Sequence, residues 1–130
     1  MDTSAFIELR QGNQEFILCE QAIRNRRLPI YVTSTVIVET HRRFLFDFGY
    51  GAAKHFLERA YSGGFNILRP TPGDEEQAMQ LLDRYADLEM TLCDAISMAV
   101  MLRIGILRAF TYDRRHFSAA LFIVVPPLDM

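Results

Sequence analysis

The stretch Thr91-Leu-Cys-Asp-Ala-Ile-Ser-Met-Ala-Val-Met-Leu-Arg-Ile104, with Gly105 and the run Ile106-Leu-Arg-Ala-Phe-Thr-Tyr112 behind it, decides the fold class. Residues 92 to 104 are apolar nearly all round, so a helix there is buried on most sides rather than lying on a surface. The run that follows reads as a strand, and Leu121–Val125 reads as another. Upstream, Pro29-Ile-Tyr-Val32 and Phe65-Asn-Ile-Leu68 are short strands set between longer helical segments. Strands separated by helices imply a parallel, right-handed α/β sheet with helices on both faces.

The helical segments carry their own punctuation. Residues 3–10 and 14–27 read as helices, the second with Phe16, Ile17, Cys19 and Ile23 on one side. Thr33-Ser-Thr35 can cap a helix over about 35–48, and a further helix over about 50–61 ends at Gly63-Gly64. Thr71-Pro-Gly-Asp74 puts a capping residue before Pro at the first helical position and an acid at the third, which predicts a helix over 72–86.

At 130 residues, 50% of them hydrophobic, the chain suffices for one domain over 1–130 with one sizeable core. The net charge of −2 is not that of a dedicated nucleic-acid binder. Contact with RNA then has to come from local clusters, Arg24-Asn-Arg-Arg27, His41-Arg-Arg43 and Arg114-Arg-His116, each of which reads equally well as a solvated face. Cys19 and Cys93 lack metal-ligand spacing and read as small buried hydrophobes in a reducing compartment. With no charged-then-apolar leader and no spanning apolar run, the expected location is cytoplasmic.

Four acids stand at or near the start of a helix or the end of a strand: Asp2, Glu39, Asp94 and Asp113. Each has a plain structural explanation. Asp2 can cap the helix opening at Thr3-Ser4, and Glu39 can pair with Arg42 or Arg43. Asp94 completes a capping box with Thr91, and Asp113 suits a strand exit. Asp94 is the sharpest case, because a carboxylate on a helix otherwise committed to the core must be paired, capped or bound to a cation.

Taken in order, Met1-Asp-Thr-Ser-Ala-Phe6, Val36-Ile-Val-Glu-Thr-His41, Thr91-Leu-Cys-Asp-Ala95 and Thr111-Tyr-Asp-Arg-Arg-His-Phe117 make nearly the whole chain resemble the PIN-domain family of metal-dependent ribonucleases, and within it the VapC-type toxins. The resemblance implies a three-layer α/β/α PIN-like fold whose central parallel sheet has four to five strands. It also implies an apolar strand running into Asp2, so the first strand is expected to be truncated in this sequence or completed by residues upstream. In such a sheet Asp2, Glu39, Asp94 and Asp113 converge on the carboxyl edge, the general location of sites in open α/β folds. Mutually repelling acids there call for a divalent cation, and an all-oxygen set favours Mg2+ or Mn2+.

By the same resemblance, Asp2, Asp94 and Asp113 are metal ligands, Glu39 is a ligand or a water-orienting base, and Thr3, Ser4 and Thr111 orient the ligands from behind. The expected reaction is metal-dependent hydrolysis of RNA phosphodiesters by the toxin half of a toxin–antitoxin pair. The alternative is a catalytically silent PIN module that binds RNA or a protein partner. His116 is given a packing or RNA-facing role, Asp74 a helix-dipole role, and Asp87 and Glu89 the role of solvated loop acids. Apolar residues over 14–62, among them Phe44, Leu45, Phe46, Phe48, Tyr50, Phe56 and Tyr61, exceed what one face buries and suggest a homodimer or an antitoxin surface. A phospho-acceptor domain is disfavoured, since the middle strand ends Leu68-Arg69-Pro70 and the single lysine, Lys54, lies inside a helix. A haloacid-dehalogenase-like site needs a second acid where Asp2-Thr-Ser4 has none.

Overall fold

Thr91 and Asp94 close a reciprocal capping box, with the Thr91 hydroxyl accepting from the Asp94 amide at 3.1 Å and the Asp94 carboxylate accepting from the Thr91 amide at 3.3 Å. That box starts the buried helix Leu92–Ile104 in a computed structural model that describes residues 1–127. Every residue from Asp94 to Val100 is buried. Gly105, at φ 89°, ends the helix in the left-handed conformation that glycine adopts without steric cost.

The helices among the described residues are α1 (Thr3–Arg10), α2 (Gln14–Asn25), α3 (Ser34–Phe48), α4 (Tyr50–Ala60), α5 (Pro72–Arg84), α6 (Leu92–Ile104) and α7 (Arg114–Ala119). The strands are β1 (Tyr31–Thr33), β2 (Asn66–Leu68), β3 (Arg108–Phe110) and β4 (Ile123–Val125). The expected α/β class holds, and all pairing is parallel. β1 pairs with β2 in the register Tyr31↔Asn66 to Thr33↔Leu68, and β3 with β4 in the register Arg108↔Ile123 to Phe110↔Val125.

The sheet departs from the expectation of one continuous central sheet. Among the described residues four strands form two pairs, and Met1-Asp2 bonds to both β1 and β3 between them. The Met1 ammonium donates to the Tyr31 carbonyl at 2.8 Å, and the Asp2 amide donates to the Phe110 carbonyl at 2.9 Å. One bond to each side joins the halves without making a ladder. Burial holds that ammonium well below its ordinary value, to about 6, against the opposing pull of Asp2.

Three apolar clusters fill the layers. Phe6, Phe44, Phe56 and Phe65 pack α1, α3 and α4 together, with Phe6 and Phe56 edge to face at 5.1 Å between centroids. Leu81, Met98, Phe117 and Phe122 join α5, α6, α7 and the end of the chain, and Phe16 meets Phe110 in a smaller third cluster. Phe44 and Phe56 therefore belong to the core and not to the surplus surface expected from the sequence. Phe46, Tyr50 and Tyr61 do lie outside, with 75%, 73% and 60% of their surface exposed.

Two further differences have local causes. Asp74 does more than complement a helix dipole: besides its capping box with Thr71 it is buried and accepts from Arg103 Nε at 2.9 and 3.1 Å, tying α5 to α6. This pairing holds the Asp74 carboxyl below the usual carboxylate range. α7 was not expected, because it has no side-chain cap and opens on the polar Arg114-Arg-His116. Its single apolar anchor, Phe117, is 1% exposed and holds it against α6.

Candidate functional site

The carboxyl ends of the strands deliver the acids. Asp2 ends the stub beside β3, Glu39 lies one turn into α3 behind β1, Asp94 sits in the first turn of α6, and Asp113 follows β3 at the start of α7. Right-handed parallel crossovers put these points on one edge.

Asp2 does not do what a helix cap does. Its residue occupies the N-cap of α1, yet its side chain makes no capping bond. Instead Oδ2 accepts from the Ser4 and Thr111 hydroxyls, both at 2.9 Å, while Oδ1 is buried with no partner. Ser4 and Thr111 are themselves 3.1 Å apart, and the Ser4 and Thr111 hydroxyls accept from the amides of Tyr112 and Asp113 at 2.8 and 2.9 Å. This polar knot fixes the Asp2 carboxylate and shapes the turn that carries Asp113. Thr3, which the resemblance placed beside Ser4, is buried with its hydroxyl unpartnered and touches none of these groups through a hydrogen bond.

Asp94, Asp113 and His116 lie closest together: one ligand atom from each falls within 4.8 Å of the others. Asp94 is buried, His116 half-buried and Asp113 exposed at the rim. Burial pushes the Asp94 carboxyl up to about 6, with the negative charge of Asp2 adding to it and that of Asp113 adding less. Asp113 is raised in the same way, by desolvation first and then by Asp2 and Glu39, against the lowering pull of His116 and Arg43. The Cys93 thiol, close by on α6, is pushed far above its usual range by burial and by Glu39, Asp2 and Asp94. Asp2 and Glu39 thus act on this group through their charge while lying outside it. Among the described residues Glu39 has no ion pair of the kind expected with Arg42 or Arg43; Arg43 pairs with Asp47 at 3.4 Å.

His116 is the residue that sequence reasoning placed elsewhere. Its Nδ1 is 3.3 Å from Asp94 Oδ2, one turn after Asp113 on α7. The spacing of three residues between Asp113, at the N-cap of α7, and His116 within it was the available signal, hidden because α7 itself was unexpected. The basic clusters are partly occupied by structure. Arg24 bonds the Gly64 carbonyl at 3.1 Å and covers Phe65, Arg42 covers Phe46, and Arg114 lies over Phe16 and Tyr112 while reaching Glu15 at 3.5 Å.

The donor set suits a divalent cation. Asp94, Asp113 and His116 each bring one ligand atom within 4.8 Å of the others, and Asp2, whose charge raises both carboxyls, keeps one buried oxygen without a hydrogen-bond partner, so hard oxygen donors with a single nitrogen gather at this edge. The Thr111 hydroxyl holds this arrangement and is fully buried. Replacing Thr111 by Val removes a donor to Asp2 while keeping the shape, and is expected to cost about 1–3 kcal/mol in urea unfolding. A loss well under about 0.5 kcal/mol would show that the bond to Asp2 does not hold the edge together.

Comparison with known proteins agrees with this geometry. The family model described as PIN domain matches residues 1–121. No curated protein matches the chain. Among solved structures, the crystal structure of Mycobacterium tuberculosis VapC20, a sarcin-ricin loop cleaving toxin, is similar with a TM-score of 0.82 and 28% sequence identity, covering 97% of each chain. The chain belongs to the PIN domain family and shares the architecture of its VapC-type toxins.

Proposed function

We propose that the protein is a Mg2+- or Mn2+-dependent endoribonuclease, the toxin component of a toxin–antitoxin pair acting in the cytoplasm. The observation that carries this reading is the Asp2 carboxylate, held by two hydroxyls with its other oxygen buried and free, beside Asp94 and Asp113. A nuclease family and a ribonuclease toxin of similar structure support it at the coarser level. Among the described residues no helix is long and apolar enough to cross a membrane.

In this reading Asp2, Asp94 and Asp113 hold the cation, and Glu39 either joins them or orients the attacking water. When bound, the ion supplies charge neutralisation at the scissile phosphate and lowers the pKa of water. The chain's own groups do the rest. Ser4 and Thr111 fix the rotamer of Asp2, and the Thr91 capping box holds Asp94 at the mouth of α6. His116 meets the same Asp94 oxygen that the Thr91 amide bonds. VapC20 is described as cutting the sarcin-ricin loop, which favours structured RNA with an exposed loop as the substrate class here too. The silent PIN module is the reading left standing if cleavage fails.

Cleavage of a structured RNA should vanish with EDTA and return with Mg2+ or Mn2+. Asp94→Asn keeps an oxygen for the Thr91 cap but loses the anionic ligand, so it should lower the rate by more than the roughly 10–100-fold typical of an outer partner, with unchanged circular dichroism. Parental cleavage by Asp94→Asn at saturating Mg2+ would remove this residue from the site.

For assembly we propose a two-fold homodimer through the exposed Phe46, Tyr50 and Tyr61 region, with an antitoxin as the second protein partner. Light scattering at micromolar concentration should give twice the chain mass, and Phe46→Ser should lower it. A mass of one chain for the parent protein at all concentrations contradicts the dimer.

A further inference from the structure

Asp113 occupies the N-cap of α7 and His116 the third helical position, the two places that a capping box joins. No such box forms here. The Asp113 side chain makes no capping bond, its amide is bonded to the Thr111 hydroxyl, and the His116 imidazole turns to α6, where Nδ1 stands 3.3 Å from Asp94 Oδ2. The packing of α7 fixes that aim. Phe117, the next residue, is buried against Phe122 with ring centroids 6.0 Å apart, and Arg115 donates to the Leu88 carbonyl at 3.4 Å.

Two roles for the imidazole differ in the spacing they require. A well-made charge-assisted N–H···O bond closes to about 2.7–2.9 Å. Donors on neighbouring corners of an octahedral ion, each about 2.1 Å from it, stand about 3 Å apart. The 3.3 Å between His116 Nδ1 and Asp94 Oδ2 is long for the first and suits the second, and Asp113 brings a further ligand atom within 4.8 Å of the other two residues'. A neutral imidazole carries a proton on one nitrogen and a lone pair on the other. Toward Asp94 alone, Nδ1 holds the proton; toward a cation, the proton moves to Nε2 and Nδ1 presents its lone pair.

On the reading that these acids hold a divalent cation, we infer that His116 is a direct ligand of that ion through Nδ1, a single nitrogen among carboxylate oxygens. The consequence is selectivity. Mg2+ is held by oxygens, whereas imidazole is a ligand of transition-metal ions, so His116 favours Mn2+ over Mg2+ at a site whose acids alone do not separate the two. Among the described residues His41 and His55 take no part in the close group.

Pulsed electron paramagnetic resonance of Mn2+ bound to the untagged chain, in a buffer free of nitrogen, reads a coordinated imidazole as nitrogen modulation of the spin echo. The parent chain should show it, histidine labelled with the heavy nitrogen isotope should shift its frequencies, and His116→Gln should abolish it while Mn2+ stays bound to the acids. In calorimetry His116→Gln should weaken Mn2+ binding roughly tenfold and Mg2+ binding by less than about twofold. Bound Mn2+ without nitrogen modulation in the parent, or modulation that persists in His116→Gln, overturns the role of His116 and leaves the cation site standing. Should the variant fail to fold, the labelled parent chain decides, since His116 is the histidine beside the acids. No Mn2+ bound to the parent at millimolar ion overturns the cation site itself and the role of His116 with it.

Discussion

The two halves of the sheet meet through Met1-Asp2, and the position of the acids depends on that junction. The 2.9 Å bond from the Asp2 amide to the Phe110 carbonyl sets the stub against β3, and the bonds from Ser4 and Thr111 to Asp2 Oδ2 lock the side chain there. Thr111 continues β3, Ser4 belongs to α1, and the turn they bind leads into α7. One small hydroxyl network therefore ties the chain start, the end of a strand and the helix carrying Asp113 and His116.

That geometry sets carboxylates against one another. Two unit charges no more than 4.8 Å apart repel by about 3.5 kcal/mol or more in an effective dielectric of about 20, before solvent at the exposed Asp113 weakens the effect. The chain withstands this in three ways. Hydroxyl donors serve one oxygen of Asp2, the helix terminus and Thr91 serve Asp94, and His116 stands beside it. None of them serves Asp2 Oδ1. A buried oxygen without a hydrogen-bond partner, near carboxyls that burial and charge have raised, is a poor way to stabilise a fold.

Much of this was legible in the sequence because it rests on local chemistry. The capping boxes at Thr71 and Thr91, the buried character of α6 and the alternation of elements are written in short-range patterns, and the structure has them. The order of the four acids identified the family before any geometry was known. What stayed hidden depends on distant partners. α7 exists because Phe117 finds a pocket against α6, and without α7 the proximity of His116 to Asp94 is invisible. Likewise the burial of Phe44 and Phe56 follows from their meeting each other across two helices and from Phe6, backed by Phe65, closing on Phe56, which periodicity within one helix does not reveal. The role of Asp2 is the clearest contrast, since its N-cap position fitted the plain explanation and only the side-chain bonds to Ser4 and Thr111 separate the two readings.

The central proposal is that these acids form one cation site, with Asp94 and Asp113 at its closest point and the spare oxygen of Asp2 beside them. Electron paramagnetic resonance of added Mn2+ measures this directly, because bound ion loses the sharp signal of free ion. The account predicts binding to the parent chain that is abolished in Asp2→Asn combined with Asp94→Asn, with far-ultraviolet circular dichroism unchanged. Equal Mn2+ binding by the parent and the double variant, or none by the parent at millimolar Mn2+, would contradict it.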